Sequence, residues 1–246
     1  MSAPLLLLRA GTVPYRDAWE MQLRLAERRG GGEIADVLML LEHPPVYSRG
    51  RRTRPEELPM GAAWYEARGI EVLDTDRGGL VTYHRPGQLV AYPIIDLAPL
   101  GDDVHAYVRG LERVMIGSLT AHGVGAQTIA GLTGVWTDGP APAPGLAGAA
   151  RKIGSIGVHV SKGITTHGLA VNVDNDLQPF EWVVPCGIEG VSMTSIAREG
   201  GREATVAAYG DTVARHFGEV FEREPRAVSA AELGLEAEPA RLGGER

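Results

Sequence analysis

The single cysteine of the chain, Cys186, stands between Pro185 and Gly187, and a lysine, Lys152, opens an otherwise apolar run well upstream. A turn framed by proline and glycine can present a thiol where backbone amides converge on an oxyanion. A free thiol is mostly protonated at neutral pH, and a neighbouring ammonium favours the reactive thiolate. Brought together by folding, Cys186 and Lys152 are the parts of an acyl-transfer site. The bland alternatives are an inert buried thiol and an exposed strand-end lysine. Lysine at the head of an apolar strand is the more unusual of the two, because a buried ammonium needs a partner or loses its charge.

A second concentration of chemistry is RGGLVTYHRPGQ, residues 77–88. Gly78 and Gly79 allow the backbone to approach a bound chain or carbonyl without side chains in between; a plain structural turn is the alternative. His84 can donate, accept or titrate near neutrality, so it is a candidate for proton transfer beside its reading as a hydrogen-bonded structural imidazole. The segment lacks the order of a phosphate-binding glycine–lysine loop, and no dinucleotide fingerprint precedes a helix, so nucleotide binding gains little support.

These groups need a scaffold. PLLLLRA reads as a first strand, and Tyr15, Trp19, Leu23 and Ala26 at helical spacing predict a helix from Pro14 to Arg29. DVLMLLEH is apolar almost without a break, which suits a strand covered on both faces. IEVLD, LVTYH and QLVAYPIIDL follow as strands, and Val104, Val108, Leu111, Met115 and Leu119 predict a helix that stops at Gly123. GLTGVW, KIGSIGVHVS and HGLAVNV read as strands, and EATVAAYGDTVARHFGEVF as a late helix. Strands alternating irregularly with few helices imply α/β architecture, a mixed sheet with helices against it. No linker divides the chain, so residues 1–246 are expected to form one domain. Residues 137–150, rich in proline, alanine and glycine, predict a mobile excursion before Lys152, either a lid or a loop without catalytic use, and residues from about 233 to 246 a frayed tail.

Composition narrows the function. With 24 basic and 31 acidic side chains the formal charge is -7, which argues against general affinity for nucleic acid or anionic membrane. One cysteine excludes an internal disulfide and a cysteine zinc cluster, Leu5 to Leu8 is too short to span a bilayer, and no leader is evident, so a cytoplasmic protein is expected.

In order along the chain, LEHPPVYSRG (41–50), RGGLVTYHRPGQLVAYPIIDL (77–97), KIGSIGVHV (152–160), THGLAVNV (166–173) and PCGIEGVSMTSI (185–196) resemble the octanoyltransferases of lipoate biosynthesis. Those enzymes move an octanoyl group from acyl-carrier protein to lipoyl domains, and the resemblance covers nearly the whole chain. It implies that Cys186 carries the acyl group as a thioester and that Lys152 favours its thiolate. It also implies an acyl pocket lined by Arg77, Gly78, Gly79, Leu80, Val81, Thr82, Tyr83 and His84, by Ser155, Ile156 and Gly157, and by Gly168, Leu169 and Ala170. Backbone donors near Gly187 and in the pocket segments are expected to hold the oxyanion. The implied fold is a biotin/lipoate protein ligase-like catalytic domain, a mixed β-sheet flanked by helices. The implied partners are octanoyl-acyl-carrier protein as donor and, as acceptors, lipoyl domains of 2-oxoacid dehydrogenases and the glycine cleavage H protein. No metal and no cofactor are expected.

One position departs from the family's HGPGQ pattern: Arg85 replaces its first glycine, which implies either backbone strain or an added basic side chain at the pocket mouth. Both implied protein partners are typically acidic, so Arg49, Arg51, Arg52 and Arg54 are expected to contact the carrier, with a solvated charged loop as the alternative. Other functional readings are an ATP-dependent lipoate or biotin ligase, a noncatalytic acyl-binding module and a papain-like hydrolase. The Pro-Cys-Gly turn and the absence of an adenylate loop weigh against the first, and motif order against the last.

Overall fold

Every residue from Val37 to Leu41 is buried, as an uninterrupted apolar run predicts for a central strand. The computed structural model describes residues 3–141, 148–183, 191–202 and 205–235. Its elements, in chain order, are β1 (Ala3–Thr12), α1 (Tyr15–Gly30), β2 (Asp36–Glu42), β3 (Val46–Arg49), α2 (Ala62–Glu66), β4 (Glu71–Asp74), β5 (Thr82–His84) and β6 (Gln88–Ile94). They continue with α3 (Val104–Ala121), β7 (Ala126–Ile129), β8 (Leu132–Thr137), β9 (Lys152–Ser161), β10 (Ile164–Asn172), α4 (Val206–Phe221) and β11 (Arg223–Val228).

Eight strands form one mixed sheet in the order β11-β1-β2-β6-β10-β9-β8-β7, and β4-β3-β5 form a small second sheet. The first three strands of the large sheet are mutually parallel and the remaining pairings antiparallel. Side-chain alternation splits the core into two layers. Leu5, Leu7, Leu38, Leu40, Leu89 and Leu169 pack with Leu111 and Met115 of α3 and Val213 and Phe217 of α4. Leu6, Leu8, Val37, Met39, Val90 and Tyr92 face the other way, onto Ala18 and Leu25 of α1. The small sheet stands over this second face with its own core of Tyr47, Tyr65, Val81, Tyr83 and Phe180.

Helix ends follow local chemistry. The Asp103 carboxylate accepts from the Ala106 N–H at 2.9 Å and the Thr205 hydroxyl oxygen from the Ala208 N–H at 3.2 Å, satisfying donors that a helix start leaves unpaired. The expected tail needs correcting at its beginning: Leu233 and Leu235 are buried against the α1-side core, because an apolar side chain in reach of an open core edge leaves water. Residues 236–246 lie outside the described residues, as do 142–147 of the expected excursion and the first two residues of the expected late helix. The flanks of the excursion are tied down, with the Thr137 N–H donating to the Arg151 carbonyl at 2.8 Å and the Ala150 N–H to that of Pro140 at 2.9 Å. Among the described residues no helix is long and apolar enough to cross a membrane.

Candidate active site

Four glycines leave side chains out of the space between β9, β10 and the 77–81 loop. The Gly78 N–H donates to the Val158 carbonyl at 2.9 Å, which lays the loop across β9. Gly157 lies under it: a Cβ there would stand 3.0 Å from the Gly78 oxygen. Gly168 pairs with Gly157 across the β9–β10 ladder. A cavity of about 670 Å³ opens here, lined by Gly78, Gly79, Gly157 and Gly168 and by the side chains around them. That volume lies within the range of small-ligand sites.

Of the expected acyl-lining residues, Arg77, Gly78, Gly79, Leu80, Val81, Thr82, His84, Ser155, Ile156, Gly157, Gly168, Leu169 and Ala170 all border this cavity. Tyr83 does not. It is buried in the small-sheet core with Tyr47 and Phe180, because Thr82 and His84 face the cavity and successive residues of a strand face opposite ways. Arg77 borders the space but serves as a clamp: its Nη2 donates to the Ser48 carbonyl at 2.5 Å and its Nε to the Ser48 hydroxyl at 3.1 Å, fastening the loop to β3. The Gly78 amide is already donated to Val158, so it is not a donor for an oxyanion.

Lys152 heads β9, is buried and lines the cavity. Its Nζ lies 5.3 Å from the centroid of the Trp136 ring, within reach of a cation–π contact, and its stem runs beside Gly134, which has no Cβ to obstruct it. The Lys152 N–H donates to the Ser192 carbonyl, and the Lys152 carbonyl accepts from the Thr194 N–H, both at 2.9 Å. Cys186 and Gly187 lie outside the described residues, but the segment from Ser192 to Thr194 that follows them is fastened to the backbone of Lys152.

His84, the expected candidate for proton transfer, is buried with both ring nitrogens engaged. Nδ1 donates to the Gln88 Oε1 at 2.7 Å, and Nε2 accepts from the Ser48 hydroxyl at 3.3 Å. Gln88 donates in turn to the Asn172 Oδ1 at 2.9 Å, and the Asn172 Nδ2 donates to the Thr194 carbonyl at 2.9 Å. His84 is therefore a structural link in a chain of bonds that ends at the segment pairing with Lys152.

The residues that sequence reasoning passed over are Tyr15, Tyr92 and His167, which line the cavity, and His43 and Asp76 behind them. His43 donates from Nδ1 to the Val13 carbonyl at 2.6 Å and accepts the Tyr92 hydroxyl at 2.7 Å. His167 donates from Nε2 to the Asp76 Oδ1 at 2.7 Å and accepts the Tyr15 hydroxyl at 3.3 Å. His43, Tyr92 and His167 lie in the segments 41–50, 77–97 and 166–173 that carry the family resemblance, which is the signal that could have found them; Tyr15 and Asp76 lie in none of these segments.

Burial lowers the His43 pKa to about 4 and holds those of His84 and His167 below the ordinary histidine value of 6.5. Below pH 6.5 the unfolded chain takes up protons that the folded protein refuses, so stability is full above that value and falls as the pH drops towards 4. The expected loss is roughly 1.4 kcal/mol per pH unit for each histidine kept neutral in that window. Urea unfolding at pH 7.5 and 5.0 measures it; equal midpoints would mean that these imidazoles charge inside the fold.

Arg85 is not among the residues with positive φ, so its replacement of glycine carries no left-handed strain; the positive φ of +90° falls on Gly87. Its side chain pairs with Asp176 at 2.9 Å and does not border the cavity. Of the basic loop, Arg49 is paired with Asp74 at 2.6 Å, whereas Arg51, Arg52 and Arg54 are exposed and form no ion pair among the described residues. Arg52 and Arg54 border the cavity, and the Arg51 and Arg52 amides donate to the Arg77 and Gly79 carbonyls at 3.0 and 3.2 Å.

The mixed sheet carries a cavity with a lysine at its rim, and residues 14–218 match the family described as lipoyl protein ligase A/B catalytic domain, which is the class of this domain. The fold is similar to that of a bi-partite lipoate protein ligase from Thermoplasma acidophilum, with a TM-score of 0.69 at 19% identity over 96% of this chain and 90% of that one. An octanoyltransferase of Chloroflexus aurantiacus is 46% identical over 222 residues, 90% of this chain and 96% of that protein. One of Chloroflexus aggregans is 47% identical over 216 residues, 87% of this chain and 94% of that protein. The chain belongs to the octanoyltransferase family.

Proposed function

We propose that the enzyme takes octanoyl from an acyl-carrier protein onto Cys186 as a thioester and delivers it to a lysine of a lipoyl domain, such as those of 2-oxoacid dehydrogenases and the glycine cleavage H protein, in the cytoplasm. The observation that carries this reading is the placement of Lys152, buried at the rim of a glycine-walled cavity and bonded through its backbone to Ser192 and Thr194. Ser192 follows Cys186 by six residues, a span of at most roughly 20 Å.

In the first half-reaction the Cys186 thiolate attacks the carbonyl of the donor thioester; the new carbon–sulfur bond forms, the old one breaks, and the carrier leaves as a thiol with a proton from the Lys152 ammonium. Exchange between two thioesters is nearly balanced, so the acyl group rests on the enzyme at little cost. In the second, the neutral amine of the acceptor lysine attacks, the bond to Cys186 breaks, and Lys152 takes the amine proton, which restores thiolate and ammonium. Amide formation makes this step one-way. Arg51 and Arg52, held against the cavity wall by backbone bonds, and Arg54, which borders the cavity, offer the positive surface that an acidic carrier needs.

Intact mass spectrometry after mixing with octanoyl-acyl-carrier protein tests the reading. An octanoyl adduct on Cys186, absent from Cys186→Ala, is the expected result; undiminished transfer by Cys186→Ala, or transfer that requires ATP, overturns it. Arg51→Glu with Arg52→Glu is expected to raise the KM for the carrier roughly tenfold at low salt and less at high salt. An unchanged KM removes the docking assignment.

A further inference from the structure

His167 has φ +56° in the middle of strand β10, in the left-handed region that residues other than glycine, asparagine and aspartate seldom enter. Its surroundings hold it there. The backbone N–H donates to the Gln22 Oε1 at 2.6 Å, and the ring, almost wholly buried, is spanned by Tyr15 on one nitrogen and Asp76 on the other. Asp76 directly precedes Arg77 and the glycine loop, and His167 directly precedes Gly168. The Asp76–His167 bond thus joins the two walls of the cavity, one bearing Gly78 and Gly79, the other Gly168 and Ala170.

The bond lies at the end of the cavity away from Lys152. His167 is opposite Val158 on β9, six residues from Lys152 and so roughly 20 Å along the strand. Tyr15 and His84 stand there with ring centroids 5.7 Å apart, and Tyr92 and His167 with centroids 6.1 Å apart. Three polar groups that line this end are each bonded to a neighbour: Tyr15 to His167, Tyr92 to His43 and His84 to Gln88. A methylene buried in the cavity improves affinity about fourfold. A tail long enough to push into this end must separate one of those pairs, which costs roughly tenfold or more in affinity.

Resting on the octanoyl-transfer reading above, we propose that Asp76 and His167 are positioning residues that fix the spacing of the cavity walls and close its far end, and so set the longest acyl chain the enzyme accepts. His167→Asn keeps a residue that tolerates left-handed backbone but is too short to bridge Tyr15 and Asp76. Asp76→Ala removes the anchor from a half-exposed position, where loss of folding is not expected, and thermal unfolding of both variants checks this.

The experiment measures kcat/KM with octanoyl- and dodecanoyl-acyl-carrier protein, and calorimetric binding of octanoic and dodecanoic acid to the same variants carrying Cys186→Ala. Each single variant is expected to raise the dodecanoyl-to-octanoyl ratio about tenfold, with the double variant no further changed, since both remove the Asp76–His167 bond that joins the walls. A uniform loss for both chain lengths, or an unchanged ratio, overturns the proposal. The two failures are distinguishable: if the wild-type protein forms no thioester but binds the acids with a length preference that the variants relax, the acyl-transfer reading has failed and the positioning role stands.

Discussion

Replacing Lys152 by methionine is expected to lower octanoyl transfer by a hundred- to about ten-thousandfold, the range that a positioned proton donor and acceptor supplies. Methionine keeps most of the stem that packs beside Gly134 and against the Trp136 ring, so the loss reports the missing amine and not a collapsed wall. On the proposed mechanism both half-reactions are expected to fail in this variant, because neither the Cys186 thiolate is favoured nor a proton moved, and mass spectrometry is expected to find little acyl-enzyme. Lys152→Arg separates the two roles. Its guanidinium keeps a positive charge beside the thiolate but does not give up a proton in a protein. In the arginine variant the carrier must leave as a thiolate that water protonates, so octanoyl is expected to load more slowly than in the wild type and then stall, accumulating thioester that the acceptor amine does not clear. Methionine and arginine variants that both turn over at the wild-type rate would remove Lys152 from the reaction.

The site was more legible than some of the elements around it, for physical reasons that differ. Glycine clusters advertise close backbone approach, and the segments at 77–79, 155–157 and 168–170 did come together around one cavity. Tyr83 departs from its segment because a strand turns every second side chain away. Tyr15, Tyr92 and His167 were passed over because an aromatic at helical spacing or a tyrosine in an apolar strand looks like ordinary core, and they are in fact buried; only the hydrogen bonds among them set them apart. Strands with continuous or alternating apolar pattern, such as β2 and β10, were readable from composition. β11, with the sequence REPRAV and mostly exposed side chains, was not, because its strand character comes from pairing in parallel with β1 at the sheet edge. β3 hid in the LEHPPVY motif, and β7, four residues long and half-exposed, has too little pattern to count. Arg85 shows the converse: the sequence exposed a departure from the family, and the backbone shows the adjustment to be an ion pair with Asp176 without left-handed strain.

Gly168→Ala is expected to be the most damaging of the single-methyl changes at the cavity. A Cβ at this position would overlap the Ala91 carbonyl oxygen and lie 2.6 Å from the Pro93 Cδ, both on β6. Neither can swing aside: Ala91 is paired with Leu169 across the ladder, and the proline ring is fused to the backbone. The added methyl must therefore push β10 from β6 at the centre of the eight-stranded sheet, beside the strained His167, where no flexible side chain absorbs the displacement. Overpacking of this kind costs about 3 kcal/mol, which corresponds to a fall in Tm of roughly 6–12 °C for a protein of this size. Gly157→Ala offers an internal comparison. Its Cβ would meet the Gly78 carbonyl at 3.0 Å and the Arg77 Cδ at 3.1 Å, both on a loop able to give way by a few tenths of an ångström. That variant is expected to keep its Tm within about 4 °C of wild type while losing acyl-chain affinity, because the loop it lifts is the cavity wall. Denaturation curves and octanoic acid binding for the two variants decide the matter; a Gly168→Ala protein as stable as Gly157→Ala would show that β6 and β10 can separate at this point, and that the close approach of their backbones does not hold the acyl wall in place.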